Sequence, residues 1–128
     1  FAAAAPLSAG IFGDEEMTMM PESQWNIIFA PLFGKDLKGK DRLNKAWYDN
    51  SVLSIINKKN GADLNKVRYW IDCGDDDFLF NGNSLLHIAL RKKLVKHEYR
   101  VRDGGHTWEY WRTGITDALK FIGESFHQ

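Results

Sequence analysis

The carboxyl-terminal half of the chain alternates between two hydrophobic periods, and this alternation constrains the fold more than any other feature. Residues 67–73 are rich in β-forming side chains and end at a glycine, which predicts a strand. A turn at residues 81–83 and a helical pattern from Leu85 to Leu94 follow. Residues 97–102 then alternate like a second strand, and the apolar spacing from Trp108 to Phe126 predicts a final helix. Strands alternating with helices favour an α/β fold with a mostly parallel sheet and flanking helices. The face of the final helix that we expect to be buried against the sheet comprises Trp111, Ile115, Leu119 and Ile122.

The amino-terminal half adds one strand and a helical insertion to this pattern. Residues 1–7 form a short apolar run, consistent with a buried strand whose small alanines suit a sheet crowded by helices. Residues 11–65 are predicted to form a loop and helices inserted before the next strand. Within them, residues 11–20 are predicted to be a mobile loop, Pro21 to open a helix, and Asn60 to help close the segment. Such insertions can roof a pocket, but solvated covering helices are the simpler interpretation.

The composition limits the classes of partner and the environments that we expect for this chain. Its 128 residues suit a single domain, and 17 basic residues balance 17 acidic ones, so no overall charge favours nucleic acid or an anionic membrane. No apolar run approaches the roughly 20 residues of a membrane span. The single cysteine, Cys73, excludes an internal disulfide and is interpreted as a buried apolar residue. The first residues lack the features of a signal peptide and predict a chain entered part-way through a longer protein. The compartment stays open between cytoplasmic and, with an upstream signal peptide, periplasmic or secreted.

Chemically active side chains directly follow the two carboxyl-terminal strands. Asp75, Asp76 and Asp77 come after the first strand, and His106 follows a pair of glycines after the second. Because functional groups of a parallel sheet collect beyond the carboxyl ends of its strands, we expect an acid and His106 to lie close together. Spacing alone does not choose among the three acids. An acid followed by a histidine matches the second half of the Ser…Asp…His order of α/β-hydrolases.

The segments Ile71–Leu79 and Gly104–Trp111 resemble two motifs of the esterase D-like α/β-hydrolases. This family includes carboxylesterases, S-formylglutathione hydrolases, feruloyl and acetylxylan esterases, and mycolyltransferases. The segment Ile71–Leu79 resembles the acid loop of this family, in which the catalytic aspartate lies three residues after the glycine, the position of Asp77. The segment Gly104–Trp111 resembles its histidine loop and identifies His106. The resemblance covers nearly the whole chain, and it implies the carboxyl-terminal portion of a single α/β-hydrolase domain over residues 1–128.

The resemblance also implies parts of the site that these residues do not supply. The family's G-x-S-x-G nucleophile and its oxyanion-hole loop are expected upstream of Phe1. Residues 6–10 read Pro-Leu-Ser-Ala-Gly and lack the first glycine of that motif, so Ser8 is interpreted as part of a strand-end loop. We therefore expect a serine carboxylesterase that supplies the catalytic Asp77 and His106 from this chain and needs no cofactor or metal. Its substrate would be a small ester, with an acylated carbohydrate as one candidate.

Further expectations concern the pocket, the partners and the rival functions. Trp108 and Tyr110 are predicted to line the acyl or alcohol pocket, with packing in the core as the alternative. An open apolar edge at residues 1–7 favours a homo-oligomer or association with the amino-terminal half of the domain. Acyl transfer to a sugar alcohol and a non-catalytic binding module of the same fold are the alternative functions. The other histidines are interpreted as structural or solvent-exposed: His87, His97 and His127.

Overall fold

A three-stranded parallel sheet forms the centre of the molecule. The computed structural model describes residues 1–126, so His127 lies outside the described residues. The strands are β1 (Ala3–Ala4), β2 (Arg68–Asp72) and β3 (His97–Arg100), arranged in the order β1-β2-β3. Both pairs of neighbours are parallel, because helical segments return the chain to the same end of the sheet between strands. The predicted α/β fold with a parallel sheet and flanking helices is confirmed.

Helices fill the connections between the strands and follow the last one. Six short helices lie between β1 and β2, a longer one joins β2 to β3, and the longest follows β3. Two short 3₁₀ segments occur at Gly39–Arg42 and Glu124–Phe126. The α-helices are α1 (Asp14–Met19), α2 (Glu22–Ile28), α3 (Ala30–Phe33), α4 (Lys45–Asn50), α5 (Val52–Lys58), α6 (Gly61–Leu64), α7 (Phe80–Lys92) and α8 (Trp108–Gly123). Within residues 1–126, none of these helices combines the length and the apolar character needed to cross a bilayer.

The central strand β2 directs successive side chains to opposite faces of the sheet. Ile71 is fully buried in a core with Leu86 and Leu90 of α7. Its neighbour Trp70 packs against Phe121 of α8, with 5.7 Å between the ring centroids. The sheet is therefore covered by α7 and its neighbours on one face and by α8 on the other. This arrangement explains why the strand sequence is apolar at consecutive positions.

The first of the inserted helices contradicts the predicted loop at residues 11–20. Residues 14–19 form α1, whose first turn is acidic, as the helix dipole favours. The indole Nε1 of Trp47 donates to Asp14 Oδ1 at 2.9 Å and holds this first turn against α4. The loop prediction was wrong because the contacts that stabilise so short a helix come from residues about thirty positions away.

Arg42 organises a second core inside the insertion. Its guanidinium is buried and donates to the carbonyl oxygens of Leu37, Met17 and Met20. It also lies over the ring of Trp25, 4.8 Å from the ring centroid. A buried charge is tolerated only when hydrogen bonds replace its water, and here backbone carbonyls of α1 and the following loops do so. The insertion is consequently a packed unit beside the sheet.

The turn predicted at residues 81–83 lies inside α7, which begins at Phe80. The amide of Asn83 is buried and donates to the carbonyl oxygens of Ala9 and Leu79. A Cβ added to Gly82 would lie 1.6 Å from the carbonyl oxygen of Ile11, so the glycine permits close contact instead of forming a turn. Polar and glycine residues that normally indicate a turn are here used for packing.

The buried face of α8 also differs from the predicted one. Small side chains and Tyr110 face the sheet, since a Cβ added to Gly114 would already lie 2.3 Å from the Arg102 guanidinium. Leu119 is 59% exposed and Trp111 only partly buried. At Gly114 the helix lies so close to the sheet that Trp111 and Leu119 lie on its flanks, whereas Phe121 near its end still packs against Trp70. The buried positions are Tyr110, Gly114 and Ala118.

Candidate active site

Two glycines bring the loops after β2 and β3 into contact. A Cβ added to Gly74 would lie 2.0 Å from the carbonyl oxygen of Gly104, so the two backbones touch only because Gly74 has no side chain. Gly104 has a φ of +135°, which favours glycine. Its N–H donates to Asp75 Oδ1 at 3.1 Å, and its carbonyl accepts from the N–H of Asp76 at 3.0 Å. These contacts fix the spacing between the acid loop and the histidine loop.

Asp77 and His106 meet where these loops meet, as predicted. Nδ1 of His106 lies 3.0 Å from Asp77 Oδ2, and the Asp77 side chain is completely buried. Burial raises the pKa of Asp77, but hydrogen bonds from the Leu79 N–H, the Ser8 hydroxyl and His106 outweigh it and hold the pKa below its usual value. The carboxyl is therefore ionised at neutral pH. Asp75 and Asp76 are exposed and do not contact the imidazole within residues 1–126.

The imidazole of His106 is held between two aromatic rings. Phe78 lies 4.9 Å from it by ring centroids, and Trp111 packs edge-on at 4.7 Å with an interplanar angle of 88°. With Nδ1–H donating to Asp77, the neutral ring keeps Nε2 unprotonated. The side chain is 35% exposed, so this nitrogen can accept a proton from a group that approaches it.

A cleft of about 440 Å³ opens beside His106. Trp108 is 74% exposed at the rim of this cleft. Tyr110 does not reach the cleft: it is 4% exposed, and its hydroxyl donates to Asp72. Burial and this hydrogen bond raise the pKa of Tyr110 far above its usual range. The cleft is lined by Leu7, Ser8, His106, Trp108, Trp111, Arg112 and Ile115.

An ionic cluster formed by the buried Asp72 carboxylate and the partly exposed Arg102 guanidinium contacts the start of α8. Asp72 at the end of β2 binds the Tyr110 hydroxyl and the guanidinium of Arg102. The same guanidinium donates to the carbonyl of Tyr110 at 3.2 Å and stacks on its ring at 3.9 Å. Tyr110 thus ties the start of α8 to β2 on the side away from the cleft.

The remaining polar candidates lie outside the cleft. Cys73 is fully buried, as predicted, and burial raises its pKa to about 11, so the thiol stays protonated. His87 and His97 contact each other between α7 and β3. The exposed carboxylates of Asp75, Asp76 and Asp103 approach within 4.8 Å of one another; exposed acidic groups are common without a metal ion, and we assign none to them.

Two residues near His106 were not predicted from the sequence to be site residues. Trp111 was expected in the core, and Ser8 was interpreted only as part of a loop. One signal could have identified Trp111, because it lies in the first turn of the helix that directly follows His106. No local signal identifies Ser8, whose contact with Trp111 joins residues 103 positions apart.

Comparison with known proteins identifies the family. A family model described as "Putative esterase" matches residues 12–122, which is most of the chain. The chain belongs to this esterase family. The expected resemblance is confirmed, and the matched segment contains both the acid loop and the histidine loop.

The individual relatives are named as esterases or serine hydrolases, which is consistent with the family. The chain is 25% identical over 76 residues to an acetyl esterase from Caldicellulosiruptor saccharolyticus, covering 59% of this chain and 29% of the relative. The solved structure of a ferulic acid esterase is 39% identical with a TM-score of 0.57, covering 60% of this chain and 30% of that one. FphF, a fluorophosphonate-binding serine hydrolase of Staphylococcus aureus solved with substrate bound, superposes over 95% of this chain and 44% of its own length. Its TM-score is 0.67 at 23% identity, which shows a shared fold. The chain therefore spans less than half the length of each of these relatives.

Proposed function

We propose that this chain is part of a serine carboxylesterase and supplies the histidine and the aspartate of its catalytic triad. His106 is the general base, Asp77 is the acid that orients it, and a serine amino-terminal to Phe1 is the nucleophile. The observation that carries this proposal is the buried, ionised Asp77 at 3.0 Å from Nδ1 of a half-exposed histidine. Membership of the esterase family supports the same reaction class.

The chemistry follows from the protonation of the pair. A serine hydroxyl attacks an ester carbonyl effectively only when a base removes its proton at the same time. Nε2 of His106 can take that proton, and the resulting imidazolium can return it to the leaving alcohol. Asp77 fixes the tautomer that leaves Nε2 free, and its negative charge stabilises the imidazolium. A water molecule then attacks the acyl-enzyme by the same steps: His106 accepts a proton from the water and returns it to the departing serine.

The nucleophile is proposed to enter through the cleft beside His106. Within residues 1–126, no serine hydroxyl forms a hydrogen bond with His106. Ser8 lines the same cleft, but it is buried and its Oγ accepts from Trp111. A serine presented from outside these residues can approach the exposed side of the imidazole, where Trp108 also lies.

The proposed substrate is a small ester with an apolar or aromatic part. The cleft beside His106 is lined mainly by aromatic and aliphatic side chains, with Arg112 as its charged group. Phe78 extends the apolar surface on the other side of the imidazole and is itself exposed. The relatives are named for acetyl and ferulic acid esters, and both are esters of this size class. An acylated carbohydrate is included in this class.

The test is active-site substitution in the full-length protein. His106→Ala should lower kcat for p-nitrophenyl acetate by at least about 1,000-fold, and Asp77→Asn by about 100-fold or more. Asp76→Asn is the matched control, since it removes a neighbouring exposed carboxylate and should leave kcat unchanged. Labelling by a fluorophosphonate probe should report the activated serine and should be lost in His106→Ala.

The outcomes separate the proposal from its rivals. Near-normal turnover in His106→Ala, or an equal loss in Asp76→Asn and Asp77→Asn, would contradict the assigned roles. An unlabelled and inactive wild-type protein would favour the non-catalytic binding module. Product analysis with an added sugar alcohol distinguishes acyl transfer from hydrolysis, because transfer yields a new ester from the same acyl-enzyme.

A further inference from the structure

Three side chains, Asp72, Arg102 and Tyr110, form a basal cluster where the acid loop and the histidine loop leave the sheet. Asp72 is the last residue of β2 and precedes the acid loop, while Arg102 and Tyr110 lie on either side of His106 in the sequence. The Asp72 carboxylate accepts from the Tyr110 hydroxyl and from the Arg102 guanidinium. The acid loop therefore begins, and the histidine loop both begins and ends, at a member of this cluster.

The ring of Tyr110 packs against the place where the two loops meet. A Cβ added to Gly104 would lie 2.8 Å from Tyr110 Cδ2, and one added to Gly74 would lie 3.2 Å from Tyr110 Cε2. One edge of the ring therefore faces both glycines, whose backbones are in contact with each other. A displacement of this ring changes the support of the acid loop and of the histidine loop together.

The guanidinium of Arg102 fixes the first turn of α8 relative to the sheet. It donates to the Tyr110 carbonyl at 3.2 Å and to the Thr113 hydroxyl at 2.9 Å, and it lies 3.9 Å from the centroid of the Tyr110 ring. His106 directly precedes Thr107, the N-cap residue of α8, whose hydroxyl accepts from the Tyr110 N–H at 3.3 Å. The position of this first turn consequently determines where the imidazole lies.

The chemistry of the basal cluster suits it to fixing directions as well as filling space. The Asp72 carboxylate is buried, and a buried charge is stable only where partners replace its water. Loss of either partner leaves a buried oxygen with an unmet hydrogen bond. Apolar packing is not directional, whereas a hydrogen bond weakens steeply as its angle departs from linear. The cluster therefore favours one arrangement of β2, the histidine loop and α8.

We propose that Asp72, Arg102 and Tyr110 are positioning residues that hold His106 against Asp77. This inference rests on the proposed function, since it gives the basal cluster a role through the proposed catalytic pair. In the part of the chain that the structure describes, none of the three lines the cleft beside His106. Their effect passes through the backbone of the two loops and through the start of α8, without contact with an ester.

The experiment removes single contacts of the basal cluster in the full-length protein. Tyr110→Phe deletes the hydroxyl and keeps the ring beneath the loops, and Arg102→Lys keeps the charge but loses the planar fork. Tyr99→Phe is the hydroxyl control, because Tyr99 pairs with Ser84 away from the cleft. Arg68→Lys is the guanidinium control: Arg68 binds the end of α8 from the opposite end of β2, and its side chain is 33% exposed against 34% for Arg102.

Two readouts distinguish positioning from general stability. The first is the low-field NMR resonance of the His106 Nδ1–H proton, which reports its hydrogen bond to Asp77 and is assigned by its loss in His106→Ala. The second is kcat and KM for p-nitrophenyl acetate. Tyr110→Phe and Arg102→Lys should each shift this resonance to higher field and lower kcat about tenfold with KM nearly unchanged. Both controls should leave the resonance and kcat unchanged.

A double variant tests whether the basal cluster acts as a unit. Tyr110→Phe combined with Arg102→Lys should lose little more kcat than either substitution alone, because both disturb the same arrangement around Asp72. Losses that multiply would contradict the unit and overturn the inference.

Contrary results are equally specific. An unchanged Nδ1–H resonance and kcat in folded Tyr110→Phe would overturn the inference, and this variant decides alone if Arg102→Lys does not fold. An equal loss in Tyr99→Phe would also overturn it, by showing that any missing tyrosine hydroxyl has the same effect. If the wild-type protein hydrolyses no ester, the proposed function fails, while the resonance in the folded variants still decides whether the basal cluster positions the imidazole.

Discussion

At the scale of single residues, Gly74 determines whether the two parts of the site meet. The loops carrying Asp77 and His106 are in backbone contact at Gly74 and Gly104, where a Cβ on Gly74 would lie 2.0 Å from a carbonyl oxygen. Backbone atoms cannot yield as the far end of a side chain can. Any side chain at this position must therefore separate the loops and lengthen the Asp77–His106 hydrogen bond.

We expect Gly74→Ala to reduce both stability and activity. The overpacked contact should cost about 1–3 kcal/mol in the free energy of unfolding, measured by urea denaturation. Turnover of p-nitrophenyl acetate should fall more than stability predicts, because the imidazole moves away from its acid. Gly10→Ala is the matched control, since a Cβ there meets nothing within 4 Å. Equal behaviour of the two variants would show that the loops can separate without consequence.

At the scale of secondary-structure elements, a pair of histidines joins α7 to β3. Nδ1 of His87 and Nε2 of His97 are 2.7 Å apart, and the His87 ring stacks on Tyr99 at 4.2 Å. His97 donates from Nδ1 to the carbonyl of Val95, so its Nε2 accepts from His87 when both rings are neutral. Burial lowers the pKa of His87 below 6.5, and the charges of His97 and Arg91 act in the same direction.

The free energy of unfolding should therefore fall as the solution becomes mildly acidic. In the unfolded chain His87 binds a proton near its ordinary pKa of 6.5, whereas the folded chain resists protonation until lower pH. Stability attributable to the neutral ring is present above this value and is lost as pH falls through it. His87→Phe keeps a ring against Tyr99 and should flatten the dependence between about pH 7.5 and pH 5.5. The depressed pKa of Asp77 acts in the same sense only in more acidic solution, so it does not mask this window.

Urea denaturation at several pH values checks the histidine pair directly. A pH dependence in His87→Phe equal to that of the wild type would contradict the assignment and place the titrating group elsewhere.

At the scale of the whole molecule, the outer edge of β1 borders an open surface on each face of the sheet. Within residues 1–126, β1 pairs only with β2, so its other edge carries no strand. On one face of the sheet this surface is the cleft beside Trp108 and Ile115. On the other face it is an apolar groove of about 610 Å³ between the sheet and α5. Unpaired strand edges with apolar surroundings recruit another strand or another chain.

We therefore expect residues 1–128 expressed alone to self-associate and to lack esterase activity. Activity should be absent because Ser8, the serine that shares the cleft with His106, is buried, its Oγ accepts from Trp111 Nε1, and it forms no hydrogen bond with His106 within residues 1–126. Addition of the proposed amino-terminal half of the domain should restore turnover of p-nitrophenyl acetate and reduce self-association. Size-exclusion chromatography and an activity assay on the same sample measure both quantities. A stable, active monomer would contradict this prediction and would make Ser8 the candidate nucleophile.

The order of the elements and the meeting of Asp77 with His106 were determined by the sequence itself. Strand and helix periods are local properties, and they located β2, β3 and α8 closely and α7 apart from its first turn. Once the strands are parallel, their carboxyl ends must lie at one edge of the sheet, so side chains that follow two neighbouring strands meet there. The choice of Asp77 over its neighbours came from a motif of nine residues.

Only the tertiary structure decided which side chains surround that pair. Helix α1 is stabilised by contacts of Arg42 and Trp47 with its two ends, and the residues near α1 in the sequence do not indicate those contacts. The close approach of α8 to the sheet turned Tyr110 inward and left Trp111 beside His106, which reversed their expected roles. Ser8 reaches the site through a hydrogen bond to a residue 103 positions away. Such contacts join elements that are tens of residues apart in the sequence. They depend on how those elements pack in space, and hydrophobic periodicity within one element contains no information about that packing.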